Sequence, residues 1–477
     1  MIRTAMPRIR VSLVRPALGA AAGLAILTGA ALVAGPALAA QAQQKAAKAP
    51  KLSLSKPFQA AAAPLSKSIE DAKKRADVVA ATNSANAAQS AAQTATGAAR
   101  TQARASLDAA VAALGNTLSA EKAQLDAAFA IASTPDDRYM AGSLAVNLGG
   151  IAKDTKVQRR GIEAMIGSGK VAAADLPRLQ YHLGMFAFDQ KDFATARTAL
   201  TAAVAAGFHD NDADALLAEA YISDNQVPQG LIVLKQAIDY RNTTPTKAPA
   251  GWYRRGLGAA YKAKQVDTAA EFAMGLVGAY PTPDNWAGAI TVVREIGKYP
   301  AQETLDLMRL MDRTKSYAEE RDYIEYIQAA DARRLPGEVI RVLDAGKASG
   351  KLRTNDPFVT EARTVASGRL AADRASLPGL EREARAASAS SVTVTGAGDA
   401  FLSYGDAPKA EALYTIAMAK AGADMPKLLT RLGIAQLDQG NYAGARASFT
   451  KVQGPRRNIA QLWSLYAAQK ASGTAAS

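Results

Sequence analysis

The chain holds two histidines, His182 and His209, and no cysteine. A zinc ribbon, a disulfide framework, a thiol nucleophile and a cysteine-linked lipid anchor are therefore excluded. Neither histidine has the i, i+4 partner that sets two imidazoles on one helix face for zinc. Gly167-Ser168-Gly169-Lys170 has the ending of a phosphate-cradling loop. That chemistry needs a glycine where Ala164 stands, and a hydroxyl to hold magnesium where Val171 stands. A helix-ending turn is expected there instead. Gly396 and Gly398 follow the one strand-like run, Val392-Thr393-Val394-Thr395, but Phe401 takes the place of a third fingerprint glycine. In a chain so poor in alternating patterns, that run is expected to enter a helix. Ser53 with Lys56 and Ser119 with Lys122 have nucleophile–lysine spacing, within low-complexity or alanine-rich sequence where such matches arise by chance. No serine sits in a Gly-x-Ser-x-Gly elbow. The paired acids Asp136-Asp137 and Glu319-Glu320 stand at expected helix starts or exposed faces, where capping and solvation account for them. No catalytic residue, metal ligand or cofactor is assigned, and the expectation is a protein that is not an enzyme.

The elements that would position any site come from an alanine-rich background. Of 477 residues, 49% are hydrophobic but only 6% aromatic, so much of the apolar content is alanine. The apolar share still excludes a chain disordered throughout. Arg3, Arg8, Arg10 and Arg15 precede an apolar stretch, Ala17 to Val33, followed by Pro36 and Ala37-Leu38-Ala39. A basic region, an apolar region and small-x-small make the layout of a secretory signal, with cleavage expected after Ala39 or one residue later. The alternative is a retained anchor, for which roughly seventeen Ala- and Gly-rich residues are marginal. The expected location is the periplasm or outside the cell. Without those four arginines the formal charge of +14 falls to about +10, a surplus that favours anionic partners. The basic residues are scattered and not interleaved with aromatics, so nucleic acid is not an expected partner. No later stretch has eighteen apolar residues without charge, so no integral membrane segment is expected after cleavage.

Residues 40–56 have the composition of a flexible linker. Residues 57–134 form an alanine-rich segment, helical or partly disordered. Helices are expected at Ser66–Ala80 and Ala103–Leu114, with a poorly fixed middle, because alanine forfeits about 2 kcal/mol of burial against leucine at each buried site. From Pro135 the apolar spacing becomes helical, in segments separated by Gly, Pro or Asp turns. The organisation expected is 135–280 as clear repeats, 281–390 as degenerate ones and 391–470 as a C-terminal repeat region.

Four stretches share one register. Leu183-Gly184 precedes Ala187, Ala196, Leu200 and Ala203. Leu217-Ala218 precedes Tyr221, Gly230, Leu234 and Ala237. Leu257-Gly258 precedes Tyr261, Ala270, Met274 and Val277. Leu432-Gly433 precedes Gln436, Ala445, Phe449 and Val452. The small residue after the leucine, and another twelve positions on, recur in all four. Gly398, Phe401, Ala410, Tyr414 and Ala417 add a weaker copy. This pattern resembles the tetratricopeptide repeat, a helix–turn–helix unit of 34 residues. The resemblance implies an all-α fold, an α-solenoid in which facing small residues bring paired helices together and each pair covers the next. The signal-type start and the alanine-rich region also resemble secreted repeat proteins of Gram-negative bacteria.

The resemblance further implies a concave surface lined by the first helix of each pair. Transferred by register, its candidate groove residues are Arg178, Tyr181, Met185 and Asp189, then Glu219 and Ile222. Trp252, Arg255 and Lys262 follow in the third repeat, and Lys427 and Asp438 in the last. A clamp for C-terminal carboxylates is not expected, because the positions that would hold its Lys and Asn carry Arg255 and Ala259. The reading is a non-catalytic scaffold or adaptor in the cell envelope that binds a protein or peptide. Two alternatives belong to other classes. One is a charge-driven binder of envelope polymer or anionic lipid. The other is an enzyme hidden between Trp286 and Ser390, which should show clustered, perturbed ionisable groups in a deep pocket.

Overall fold

The computed structural model describes residues 52–474; the expected signal segment 1–39 and most of the linker lie outside them. Every regular element among the described residues is helical. They form two compact units, 52–237 and 238–474.

The N-terminal unit begins with α1 (Lys56–Ala72), α2 (Ala76–Thr94), α3 (Gly97–Thr117) and α4 (Ser119–Ile131). Leu65 and Ile69 of α1 join Leu114, Leu125, Leu144 and Leu148 in one buried cluster. The expected helix over 66–80 is instead broken at Lys73–Arg75, where Arg75 turns back to the Thr117 carbonyl and to Glu121 at 2.8 Å. The expected poorly fixed middle is a helical hairpin, α2 on α3. It buries only Val78 and Ala85 from α2 and Leu114 from α3, so its helicity rests on alanine's intrinsic propensity and on pairing. Nor is the end of the linker free. The Ser53 N–H donates to the Asp136 carboxylate at 2.8 Å, and the Ser55 N–H and Oγ donate to Asp137, both at 2.9 Å.

Helical hairpins follow: α5 (Pro135–Ala152) with α6 (Thr155–Gly167), α7 (Leu176–Asp189) with α8 (Phe193–Ala205), and α9 (Ala213–Ser223) followed by α10 (Val227–Asn242). Thr134 and Asp137 form a reciprocal capping box at the start of α5. Asp137 is lowered to about 2. Burial opposes that shift, and hydrogen bonds from Ser55 and Thr134 outweigh it. Gly167–Lys170 is the helix-ending turn expected, with Gly169 at φ 69° and Ser168 Oγ donating to the Met165 carbonyl at 2.6 Å.

The C-terminal unit continues with α11 (Ala250–Lys262), α12 (Val266–Ala279), α13 (Pro283–Gly297), α14 (Ala301–Arg313), α15 (Glu320–Ala330) and α16 (Pro336–Ala348). The long α17 (Pro357–Ala384) leads into α18 (Ser391–Ser403), α19 (Ala407–Met418), α20 (Met425–Asp438), α21 (Tyr442–Thr450) and α22 (Arg457–Ser472). The strand-like Val392–Thr395 lies in the first turn of α18, capped by Ser390.

The register expected of the repeats is present, with a different contact at its centre. A Cβ on Gly184 would lie 2.5 Å from Leu200 Cγ. One on Gly398 would lie 2.7 Å from the Tyr414 ring, and one on Gly433 2.5 Å from the Phe449 ring. In all three hairpins the glycine seats the large side chain sixteen positions on. The small residue twelve positions on contributes backbone, as the Ala196 carbonyl does at 3.2 Å from the Gly184 position. In the third repeat Gly256 is a tight seat, beneath Phe272 sixteen positions on.

In the C-terminal unit the hairpins do not present the open concave face of an ordinary solenoid. Helix α22 packs on α21, its neighbour in sequence, and also on α12, α14 and α20. Trp463 Nε1 donates to the Asp306 carbonyl at 3.0 Å, Tyr466 Oη to the Arg313 carbonyl at 2.8 Å, and Gln469 Nε2 to the Val277 carbonyl at 2.8 Å. The end of this array is thus joined to its beginning.

Candidate interaction surface

Two regions concentrate polar and aromatic groups, one in each unit. In the C-terminal unit the inner face is charged and buried. Helix α14 is buried nearly all round, without a break from Leu305 to Asp312, so Asp306 and Arg309 have no solvated side to turn to. Asp306 is fully buried and receives Arg431 Nε at 3.3 Å, Arg309 at 3.4 Å and the Arg456 guanidinium. Arg431 also reaches Asp399 at 2.5 Å and Gln302 at 2.8 Å. Arg309 grips both oxygens of Glu338, at 2.9 and 2.7 Å, and Tyr326 Oη donates to Glu338 at 2.6 Å.

Such a group is costly unless fully paired. Burial alone would raise the Glu338 carboxyl, but the Arg309 charge and the bonds from Arg309 and Tyr326 bring it down to about 2. Asp306 is likewise lowered against its burial, by Arg431, Arg456 and Arg309. Tyr326 and Tyr414 are raised, first by burial and then by Glu338 and Asp399 respectively. These are the clustered, perturbed groups sought in residues 286–390, joined by Arg431 and paired with Asp399 and Arg456. The carboxylates are held by arginines and Asp306 is sealed from solvent. The arrangement fastens helices together.

The last two groove candidates lie beside that network. Asp438 accepts two bonds from Arg313, at 2.9 and 2.8 Å. Lys427 is half-buried, its ammonium lowered by burial and by nearby Arg431. In the third repeat Trp252 and Arg255 are half-buried on α11 and Lys262 is exposed.

In the N-terminal unit α7 and α9 carry the remaining six. Tyr181 is 6% exposed, packs on Phe208 at 5.1 Å between ring centres, and donates to the Asn211 carbonyl at 3.4 Å. Ile222 is 8% exposed, against Gly230. Both are core residues, a correction that follows from the hairpins' tight seats. Arg178 and Asp189 are exposed, with Arg178 3.7 Å from Asp175. Met185 and Glu219 are half-buried, and Glu219 accepts from Ser223 Oγ at 3.2 Å. Two residues absent from the sequence-derived set belong with them. Phe188 of α7 and Leu216 of α9 are half-buried and, like Met185, pack on the cluster of Leu200, Leu217 and Ala220. Phe188 lies three residues after Met185, so the helical period could have found it.

His182 sits beside Tyr181 and Phe186 and is lowered to about 4 by burial and by Arg178, so it stays neutral near pH 7. His209 Nδ1 lies 2.9 Å from Asp214. A separate apolar cleft of about 390 Å³ is lined by Ile166, Gln180, Leu183, Thr198 and Ala199 among others, and no groove candidate borders it. Among the described residues no group of three or more His, Asp or Glu is placed to hold a metal, and no helix is long and apolar enough to cross a membrane.

No family model matches the sequence, and no curated protein matches it. Among solved structures, the chain is similar to a tetratricopeptide repeat protein from Parabacteroides merdae ATCC 43184. The identity is 12% and the TM-score 0.22, covering 61% of this chain and 98% of that one. It is also similar to Naa15/Naa10 bound to HypK-THB, at 11% identity and a TM-score of 0.21, covering 84% of this chain and 70% of that one. Similarities at such TM-scores say nothing of what this chain binds.

Proposed function

We propose that the chain is a non-catalytic scaffold that docks a protein or peptide of the cell envelope on the α7–α9 face of its N-terminal unit. The observation that carries this reading is the contrast between the two inner faces. In the C-terminal unit that face is filled by the chain's own ion pairs and by α22. On α7 and α9, Met185, Phe188 and Leu216 stay half-exposed over a common apolar cluster, with Arg178, Asp189 and Glu219 on the same helices. An apolar centre with charged side chains near it is the composition of a protein interface. The signal-type start supports a location in the periplasm or outside the cell.

The test is capture from an envelope extract at low and high salt, comparing the wild-type mature chain with a Met185→Glu, Phe188→Ser variant. The scaffold reading expects one discrete protein held at both salt concentrations by the wild type and lost by the variant. Wall or lipid material held only at low salt, and equally by the variant, would replace it with the charge-driven reading. Cell fractionation tests location: a mature N-terminus at Ala40 or Gln41 in the periplasmic or secreted fraction is expected, and an intact Met1 chain in the cytosol would contradict it.

A further inference from the structure

The charge around the α7–α9 face runs against that of the chain. The whole carries a formal +14, yet residues 175–224 hold eight acids and only three Lys or Arg. Four of those acids are engaged within the unit. Asp192 pairs with Arg159 at 2.5 Å, Asp224 pairs with Arg197, Asp214 lies 2.9 Å from His209, and Asp175 lies 3.7 Å from Arg178. The other four are Asp189 at the end of α7, Asp210 and Asp212 in the turn that enters α9, and Glu219 on α9. The helical period sets three of them beside the apolar patch. Asp189 follows Met185 along one stripe of α7, and Leu216 stands between Asp212 and Glu219 along one stripe of α9. Asp212 and Asp189 both act on Tyr181, in the cluster on which Met185, Phe188 and Leu216 pack: burial raises its phenol first, and these two carboxylates raise it further. Asp212 has no capping task. At the starts of α6 and α8, Asp154 and Asp192 accept backbone N–H bonds and pair with Lys122 and Arg159. Asp212 holds the same position at α9, yet its side chain accepts no such bond. The cation of the α7 stripe, Arg178, stands at its far end, and His182 between them is neutral near pH 7.

We propose that the segment received by the α7–α9 face is cationic and amphipathic, with an apolar side chain over Met185, Phe188 and Leu216 and lysine or arginine on its flanks toward Asp189, Asp210, Asp212 and Glu219. This partner chemistry rests on the docking reading above. Complementary charge speeds encounter and suppresses wrong partners, while the apolar centre holds the complex once formed. The basic remainder of the chain repels such a segment, and this region attracts it.

The test places a photoreactive residue at Met185 of the full chain in living cells and sequences the cross-linked segment by mass spectrometry. A net positive charge within about two helical turns on either side of the adduct is expected. A segment that is neutral or acidic there would overturn the proposal and leave the docking surface standing. No adduct at all from position 185 would remove the docking surface, and the proposal with it. The cross-linked segment is then synthesised, and its binding to the full chain is followed at low and high salt. Asp210→Asn with Asp212→Asn should slow association at least fivefold at low salt and change dissociation less than twofold. Asparagine keeps the side chain's size and tolerates the left-handed backbone at position 212, where φ is 58°. Glu361→Gln with Glu383→Gln, two exposed acids of α17 in the other unit, controls for nonspecific attraction. Association untouched by the aspartate variant, or slowed as much by the control, would overturn the proposal. Should the aspartate variant fail to fold, the charge of the cross-linked segment decides alone.

Discussion

Arg431 has no exposed surface and holds Asp306, Asp399 and Gln302 from two other helices. Removing one member of such a set leaves buried charge without its partner, which typically costs about 3–5 kcal/mol. Arg431→Leu is therefore expected to lower the C-terminal unit's stability by that order in urea unfolding. Arg353→Ala is the contrast. Arg353 pairs with Glu320 at 2.8 Å, but its side chain is 71% exposed, so water screens the pair and little is lost with it. Equal losses from the two variants would mean that the buried network is not what fastens these helices. The residues of this network were partly legible beforehand. Arg431 stands inside Leu428-Leu429-Thr430-Arg431-Leu432, whereas Asp306 and Arg309 share a polar stripe of α14 with Gln302 and Arg313 that reads in sequence as a solvated face. Their partners were not legible, because Asp306 meets Arg431 and Arg456 across 125 and 150 residues of chain.

Among the elements, the glycine seats set how closely each hairpin closes. Gly433→Ala would place a methyl group 2.5 Å from the Phe449 ring, with Trp463 stacked on that ring's far neighbourhood at 6.1 Å between centres. Overpacking of this kind costs about 1–3 kcal/mol, so the variant's melting temperature should fall. Gly396→Ala, a glycine of α18 with open space around it, should not lower it. The repeat register was read from Leu-Gly and a small residue twelve positions on, and the hairpins follow it. The seat itself, sixteen positions on, was hidden because it holds Leu200, Tyr414 or Phe449, three shapes with no common side-chain type. Helices α2 and α3 were misjudged for the opposite reason. Alanine interleaved with small polar residues carries no apolar period, so their propensity to be helical was stronger than any pattern in them. The groove residues split on burial: register alone cannot tell Met185, half-exposed, from Tyr181 four positions earlier, which fills the core.

For the whole molecule, acid is the common lever on both units. Asp137 in the N-terminal unit falls from 3.8 to about 2, and Glu338 in the C-terminal unit from 4.5 to about 2. A carboxyl whose folded value is depressed stabilises the fold fully above its unfolded value and loses that contribution as pH falls through the folded one. The C-terminal unit should therefore hold its stability from neutrality down to about pH 5 and lose it between about pH 4.5 and 2. The N-terminal unit should weaken earlier, because the folded His182 ring stays neutral down to about 4 while an unfolded histidine takes up a proton near 6.5, so stability falls as pH drops from about 6.5 to 4. Circular dichroism against pH, with Glu338→Gln as the comparison, checks this; an N-terminal unit that loses nothing between pH 7 and 5 would contradict it.

The division of labour between a self-occupied C-terminal unit and a receptive N-terminal face is tested most directly by site-specific photo-crosslinking in living cells. A photoreactive residue would be placed at Met185, at exposed Thr201 on α8, and at Lys427 on α20. One discrete adduct from position 185, with none from 201 or 427, is the predicted result. An adduct from 427 with none from 185 would contradict the account and move the docking surface to the C-terminal unit.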